Sequence, residues 1–247
     1  WRSYKRVNYS LQVGRLLSRL LPTGSLGAIS TVPIAFKSEF NKADLPLVRK
    51  NLISLLEGYA SLQQQSGRQL CLALEPEPGC LLETTEEVCR FFEWLKLPAS
   101  LRGCLGICFD CCHQAVEFEN PITSLQMLAE AEIPIAKVQI SSAPRFVDPQ
   151  LQDLQPFIDP CYLHQVVIRD EGLRLSRYID LPAALEDYQR FSAAEWRVHY
   201  HIPIFLSETD GMLTTRNFIE ELLFGLQGTE LLEIETYTWE VLPEIMR

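Results

Sequence analysis

The chain has 247 residues, 47% of them hydrophobic and 22% charged, with a formal net charge of −10. Such a chain is long enough for one sizeable core, and its composition excludes a disordered or fibrous class. The acidic balance argues against a nucleic-acid partner, which needs a basic face. No run approaches the ~20 apolar residues of a membrane helix and no signal peptide is recognisable, which points to a cytoplasmic protein without membrane insertion.

Apolar, β-branched runs alternate with amphipathic stretches along the chain. Leu26 to Phe36 reads as a strand with its exit loop. Lys42 to Gln64 carries Leu45, Val48, Leu52, Leu55, Leu56 and Tyr59 at helical spacing. Leu70 to Glu75 is a second strand, and Thr84 to Leu95 a helix opening on the capping-box string Thr84-Thr85-Glu86-Glu87. Leu105 to Asp110 is a third strand, Pro121 to Ala131 a helix, and Ile135 to Ile140 a fourth strand. Between Arg145 and Ile204 the rhythm breaks. Tyr162 to Arg169 and Val198 to Phe205 read as further strands, Glu171 to Tyr178 is short and polar, and Pro182 to Gln189 reads as a helix. A helix at Thr215 to Leu226 and a strand at Leu231 to Thr236 follow.

Strand, helix, strand with short links is the signature of a parallel sheet, and the strands are apolar on both faces, as buried parallel strands should be. The expectation is one α/β domain over residues 1–247. It is a (β/α)8 TIM barrel with about five clear strands, truncated at both ends, with a loop or hairpin insertion around 145–198.

Catalytic groups of such barrels lie at the C-terminal ends of the strands. Those ends carry Glu75, Asp110, Gln139 and Glu235, with His113 three residues after Asp110. Each has an ordinary explanation. Glu75 and Glu77 can be solvated loop carboxylates, Asp110 a helix N-cap, His113 a rim histidine and Gln139 structural. Together they place one polar group per strand at the same end. Three carboxylates converging there would repel, and a divalent cation removes the repulsion. Glu233 shares a face with Glu235 and is its rival. Only four histidines occur, His113, His164, His199 and His201, and His199-Tyr200-His201 puts two imidazoles on one face of an extended segment. Paired imidazoles suit zinc, iron, cobalt or manganese. Cys104, Cys108, Cys111 and Cys112 crowd together and read as reduced, buried thiols; no second cysteine pair follows to complete a zinc knuckle with His113.

Glu75 in LALEPEPG, Asp110 and His113 in FDCCH, the Lys137-Val138-Gln139 strand end and Glu235 in IET resemble the successive metal-site strands of the xylose-isomerase-like TIM-barrel superfamily, which includes sugar epimerases and isomerases and zinc AP endonucleases. The resemblance implies that Glu75 and Glu235 both ligate a metal and shuttle the proton, and that Asp110 is a ligand. It places His113 beside the substrate and Arg145 where an arginine holds it. Gln139 stands where histidine is usual; an amide oxygen favours magnesium or manganese over zinc unless His201 or His199 completes the shell.

The strings GSLGAISTVPIAFK, LALEPEPGCLLET, GICFDCCHQAVEFE, KVQISSA, YLHQVVIRD, HYHIPIF and LEIETYTWEVLP resemble the EboE-type metabolite-traffic proteins of a bacterial gene cluster linked to secondary-metabolite export, whose members run longer at both ends. The implied metal set is Glu75, Asp110, Gln139, Glu235 and His201, with manganese, magnesium or zinc. The implied substrate contacts are His113, Arg145, His199 and Glu77. The implied function is a metal-dependent isomerase or epimerase acting on a small sugar-like compound or secondary metabolite, with partners from the same export pathway. The alternative is a non-catalytic trafficking scaffold. An AP-endonuclease-like nuclease is disfavoured by the few histidines and the acidic charge.

Overall fold

The structure is a computed structural model and describes residues 1–191, 193–209, 211–229 and 231–236. Helix α1 (Tyr4–Leu20) starts at Ser3, whose hydroxyl accepts from Lys5 N. Its buried face consists of Val7, Ser10, Gly14 and Ser18. These small residues let helix α2 (Leu45–Ser66) approach closely. A Cβ on Gly14 would lie 2.6 Å from the Tyr59 ring, and Tyr59 OH donates to the Ser10 carbonyl at 3.0 Å. Between them runs strand β1 (Leu26–Thr31). The α2 face buries Val48, Leu52, Leu55, Leu56 and Tyr59, the spacing read from the sequence.

Strand β2 (Gln69–Leu74) leads to α3 (Thr85–Leu95), where Thr84 Oγ1 accepts from Glu87 N. The capping box is one-sided, because the Glu87 carboxylate takes Glu83 N instead of the cap residue's own N–H. Strand β3 (Leu105–Asp110) runs directly into α4 (Cys111–Val116), followed by α5 (Pro121–Glu130) and strand β4 (Ile135–Ile140). The crowded cysteines therefore part: Cys104 precedes β3, Cys108 lies within it, and Cys111 and Cys112 open α4.

The chain continues through β5 (Pro144–Val147), α6 (Leu151–Leu154), β6 (Val166–Arg169), β7 (Leu175–Tyr178), α7 (Leu181–Glu186) and β8 (Glu195–Val198). Then come β9 (Glu208–Thr209), β10 (Met212–Thr214), α8 (Arg216–Gly225) and β11 (Leu232–Ile234). Strands β1, β2, β3, β4 and β11 form one sheet in that order, every pairing parallel. This is an α/β half-barrel. Strands β7-β6-β8-β5-β10-β9 form a second, antiparallel sheet between β4 and β11.

Two expected barrel strands thus belong elsewhere. The run at Tyr162–Arg169 shortens to β6. The run at Val198–Phe205 lies mostly past the end of β8, with one antiparallel bridge between Ser142 and Ile202. The polar stretch Glu171–Tyr178 supplies the turn and β7, so the hairpin forms, within a sheet that extends from 144 to 214. The expected helix at Pro182–Gln189 is the shorter α7 followed by a 3-10 turn.

The outer face of the parallel sheet packs on the helices through Leu72, Leu74, Ile107, Phe109 and Val138; Phe109 stacks on Phe218 of α8, which also buries Leu222. The antiparallel sheet has its own core around Trp196, Phe146 and Ile168. Small residues, Ala28, Cys71, Ala73, Cys108 and Ala136, occupy the inner side of the half-barrel below its polar rim. Gly106 is where the chain before β4 crosses closest, since a Cβ there would meet the Pro134 carbonyl at 2.5 Å. Backbone gives way less easily than a side chain, so Gly106→Ala should cost about 1–3 kcal/mol in a urea unfolding titration. No helix among the described residues is long and apolar enough to cross a membrane.

Candidate metal centre

Residues in register on neighbouring parallel strands present side chains to the same face. Asp110 pairs with Gln139 across β3 and β4. Glu233 pairs with Gln139 across β11, so Glu235 lies one step past Ile234, and its N–H donates to the Ile140 carbonyl at 3.1 Å. Glu75 follows β2 and donates its N–H to the Thr31 carbonyl at 3.0 Å. The carboxylates of Glu75, Asp110 and Glu235 thereby converge, with one oxygen of each within 4.8 Å of the others. The rival Glu233 is held by an ion pair with Lys137.

Asp110 is both helix cap and site residue. Its buried Oδ1 accepts from His113 N at 3.0 Å and from Ser141 Oγ at 2.7 Å, which starts α4. Among the described residues its Oδ2 takes no hydrogen bond, and neither does buried Gln139 Oε1 or Glu235 Oε2. Oδ2 lies 3.9 Å from His113 Nε2 and 3.9 Å from His201 Nε2, too far for hydrogen bonds.

The antiparallel sheet delivers the other imidazoles. Past β8 the chain stays extended, sending His199 and His201 toward the carboxylates and Tyr200 into the second core. His199 N donates to the Gln165 carbonyl and Ile202 N to the Ser142 carbonyl, at 2.8 and 2.9 Å. The rings of His113, His199 and His201 lie 4.4 to 5.4 Å apart. Tautomers are set from outside: His113 Nδ1 donates to the Pro76 carbonyl at 2.9 Å, and His199 Nδ1 donates to Gln165 Oε1 at 2.7 Å. The Nε2 of each of these two rings is left to face inward. Among the described residues two further groups of donor atoms lie within 4.8 Å of one another, Asp110 with His113 and His201, and Cys112 with His199 and His201. In the sequence Cys112 reads only as a buried thiol, because its partners here are His199 and His201, far along the chain, and not a second cysteine pair. His164 stands behind this layer, its Nδ1 donating to the His199 carbonyl at 2.9 Å.

A cavity of about 260 Å³ opens onto the cluster, lined by Val32, Glu75, Glu77, His113, His199, His201 and Glu235. Arg145 is not brought there. The chain reverses after β4, and β5 carries the guanidinium to Glu195, with Nε to Oε1 at 2.7 Å.

The electrostatics follow from burial and crowding. Burial, with Asp110 and Glu235 adding to it, pushes the Glu75 carboxyl up to about 7. Burial and Asp110 likewise raise Glu235. Burial would raise Asp110 too, but His113, His201 and the bonds from His113 N and Ser141 hold it below the usual carboxylate range. Burial works against the His113 imidazolium, yet Asp110, Glu77 and Glu75 outweigh it and raise its pKa. Burial pulls His201 down to about 4 despite Asp110, and drives His199 well below the usual histidine range. Two crowded carboxylates with raised proton affinity beside Asp110, buried oxygens without partners, and the neutral imidazoles of His199 and His201 are a donor set that a divalent cation fits.

A scan against protein-family models gives no match, and a search of curated proteins gives none either. Among solved structures the chain is similar to the IolI protein with a bound zinc atom, at 18% identity and a TM-score of 0.35, over 51% of this chain and 41% of that one. It is also similar to the probable 3-DHS dehydratase AsbF of petrobactin synthesis from Bacillus anthracis, at 12% identity and a TM-score of 0.40, over 74% of this chain and 61% of that one. The chain spans less than two thirds of the length of either.

Proposed function

We propose that this protein is a divalent-metal-dependent isomerase or epimerase of the xylose-isomerase-like kind, acting on a small sugar-like or polyhydroxy carbonyl compound in the trafficking or processing of a secondary metabolite. The observation that carries the chemistry is the convergence of Glu75, Asp110 and Glu235, with Asp110 Oδ2, Gln139 Oε1 and Glu235 Oε2 buried and unbonded. The metabolite assignment rests on the likeness of strings such as LALEPEPGCLLET and GICFDCCHQAVEFE to the EboE-type proteins.

Glu75, Asp110, Gln139, Glu235 and His201 would hold the ion. With imidazole beside the oxygens, manganese or zinc suits the set better than magnesium. When bound, the ion supplies Lewis acidity at a substrate carbonyl and its neighbouring hydroxyl. Glu75 has a proton affinity matched to neutral pH and takes the proton from the carbon next to the carbonyl; Glu235 returns it. His113, His199 and Glu77 line the space and hydrogen-bond the hydroxyls, and the small cavity restricts the substrate to a compact molecule.

Elemental analysis should find about one divalent ion per chain after reconstitution. Uptake must displace the proton of Glu75, so affinity should rise with pH through about 7 and fall below it by up to ~10-fold per unit. Manganese titrations at several pH values check the sign. A protein that holds no metal, or binds it with a flat pH profile, overturns the reading.

A further inference from the structure

The antiparallel sheet carries a second charged cluster that the metal centre does not use. Arg145 of β5, Arg169 of β6, and Arg197 and Glu195 of β8 share one face, with Arg145 directly opposite Arg197 and Arg169 opposite Glu195. Like charges directly opposite on a sheet are destabilising unless something sits between them. Glu195 does so. Its Oε1 accepts from Arg145 Nε at 2.7 Å and Arg197 Nε at 2.8 Å, and its Oε2 accepts from Arg169 at 2.8 Å and from Arg145 again at 3.4 Å. Four bonds fill the lone pairs of one carboxylate. Among the described residues no second carboxylate lies within 4.0 Å of these three guanidiniums. The neighbouring acids are matched elsewhere, Glu117 by Arg177, and Glu83 by Lys37 and Arg177.

An ion-pair network matched one to one would carry no net charge. Here an excess of two positive charges stands in a chain of net charge −10. The inner part of the cluster is fixed. Arg197 lies over the Phe118 ring at 4.0 Å and donates to the Ala115 carbonyl at the end of α4 at 2.5 Å; Arg169 also lies over Phe118, at 4.4 Å. The outer part is open. Arg145 and Arg169 flank Glu195 with side chains 31% and 34% exposed. Among the described residues no acceptor takes Arg145 Nη1, Arg169 Nε or Arg169 Nη1.

We propose that Arg145 and Arg169, backed by Arg197 and Glu195, form a binding site for a dianionic phosphoryl group, at the opposite end of α4 from the metal centre. Paired guanidinium edges match phosphate oxygens bidentately, and a dianion cancels the excess charge. Burial, together with the two neighbouring guanidiniums, pulls Arg197 down to about 10, a strain that an anion beside the cluster would relieve.

The test uses the whole chain in chelator, so that no metal can capture the anion, at constant ionic strength. Calorimetric titration with inorganic phosphate should show one saturable site per chain, and phenyl phosphate should compete if the site takes phosphomonoesters. Acetate at equal ionic strength should not displace either. Arg145→Gln and Arg169→Gln should each weaken phosphate binding on the order of 10-fold or more, whereas Asp110→Asn at the metal centre should leave it unchanged. Because the arginine variants could disturb the sheet, phenylglyoxal labelling of the unaltered protein gives an independent reading: phosphate should shield Arg145 and Arg169, as read by peptide mass spectrometry. Absence of saturable binding, equal binding in both arginine variants, loss of binding in Asp110→Asn, or labelling that phosphate leaves unaltered would each overturn the assignment.

Discussion

Asp110→Asn is expected to abolish divalent-metal uptake while leaving the metal-free fold in place. The residue does two jobs with two oxygens. Oδ1 accepts from His113 N and Ser141 Oγ and starts α4; Oδ2 faces the imidazoles and takes no hydrogen bond. Asparagine keeps an acceptor for the first job and is as good an N-cap as aspartate. It removes the buried negative charge needed for the second. Alanine would confound the two, since losing the cap alone costs about 1 kcal/mol. At a metal concentration 100 times Kd the unaltered protein should gain about 2.7 kcal/mol of stability, and the asparagine variant none. The acid limb gives a second signature. Asp110 has a depressed pKa, so its contribution to stability is present above the ordinary carboxylate range and is lost as pH falls through the folded value. The variant should lack that part of the acid transition. Thermal melts with and without manganese, from pH 3 to 8, read both effects. Unchanged metal affinity in the variant would reduce Asp110 to a helix cap.

The parallel sheet was legible because its strands are short, mostly apolar runs rich in branched residues. Leu105–Asp110 is apolar up to its last residue, and Ile135–Ile140 keeps four apolar residues around Lys137 and Gln139; both carry a polar group toward the same end. The antiparallel sheet was not legible. Its strands have two to four residues, as in Pro144–Val147 or Met212–Thr214, and one of its faces carries arginines where a core pattern would show apolar residues. Periodicity over four residues cannot say which strand pairs with which, and β8 pairs with β5 and β6, tens of residues away. That is also why Arg145 was misplaced: its offset from Gln139 predicts the cavity, but the reversal after Ile140 sends it to Glu195. Helix α1 escaped notice for a different reason. Its core face mixes Val7, Leu11 and Leu17 with the small residues Ser10, Gly14 and Ser18, while Tyr9, Leu16 and Leu20 are exposed, so its apolar residues fall on both faces. The pair His199 and His201 was legible as two imidazoles on one face. Only the fold shows that this face meets Asp110 and His113.

Glu235→Gln is expected to retain metal and ligand binding while lowering proton exchange by a factor on the order of 10² or more. The reason is the division of labour at the rim. Burial and Asp110 raise the proton affinity of Glu235, the direction that suits a group that accepts and returns a proton. Glutamine keeps an oxygen for the ion and the shape of the side chain, and it cannot serve as a base. Its position is independent of the substitution, because the backbone N–H of residue 235 is tied to the Ile140 carbonyl and the neighbouring Thr236 Oγ1 donates to the His201 carbonyl. The assay works with an unidentified substrate. The metal-loaded protein is incubated in deuterated water with a panel of ketoses, sugar phosphates and inosose-like compounds, and mass spectrometry reads deuterium at the carbon next to the carbonyl. Exchange should appear for at least one small polyhydroxy ketone, vanish with chelator, and fall in Glu235→Gln and Glu75→Gln alike, as the proposed two-carboxylate shuttle requires. If Glu75→Gln stops exchange and Glu235→Gln does not, Glu235 is a ligand alone and a water returns the proton. If no compound exchanges, yet one binds only when metal is present, the cavity is a carrier's pocket and the trafficking scaffold replaces the isomerase.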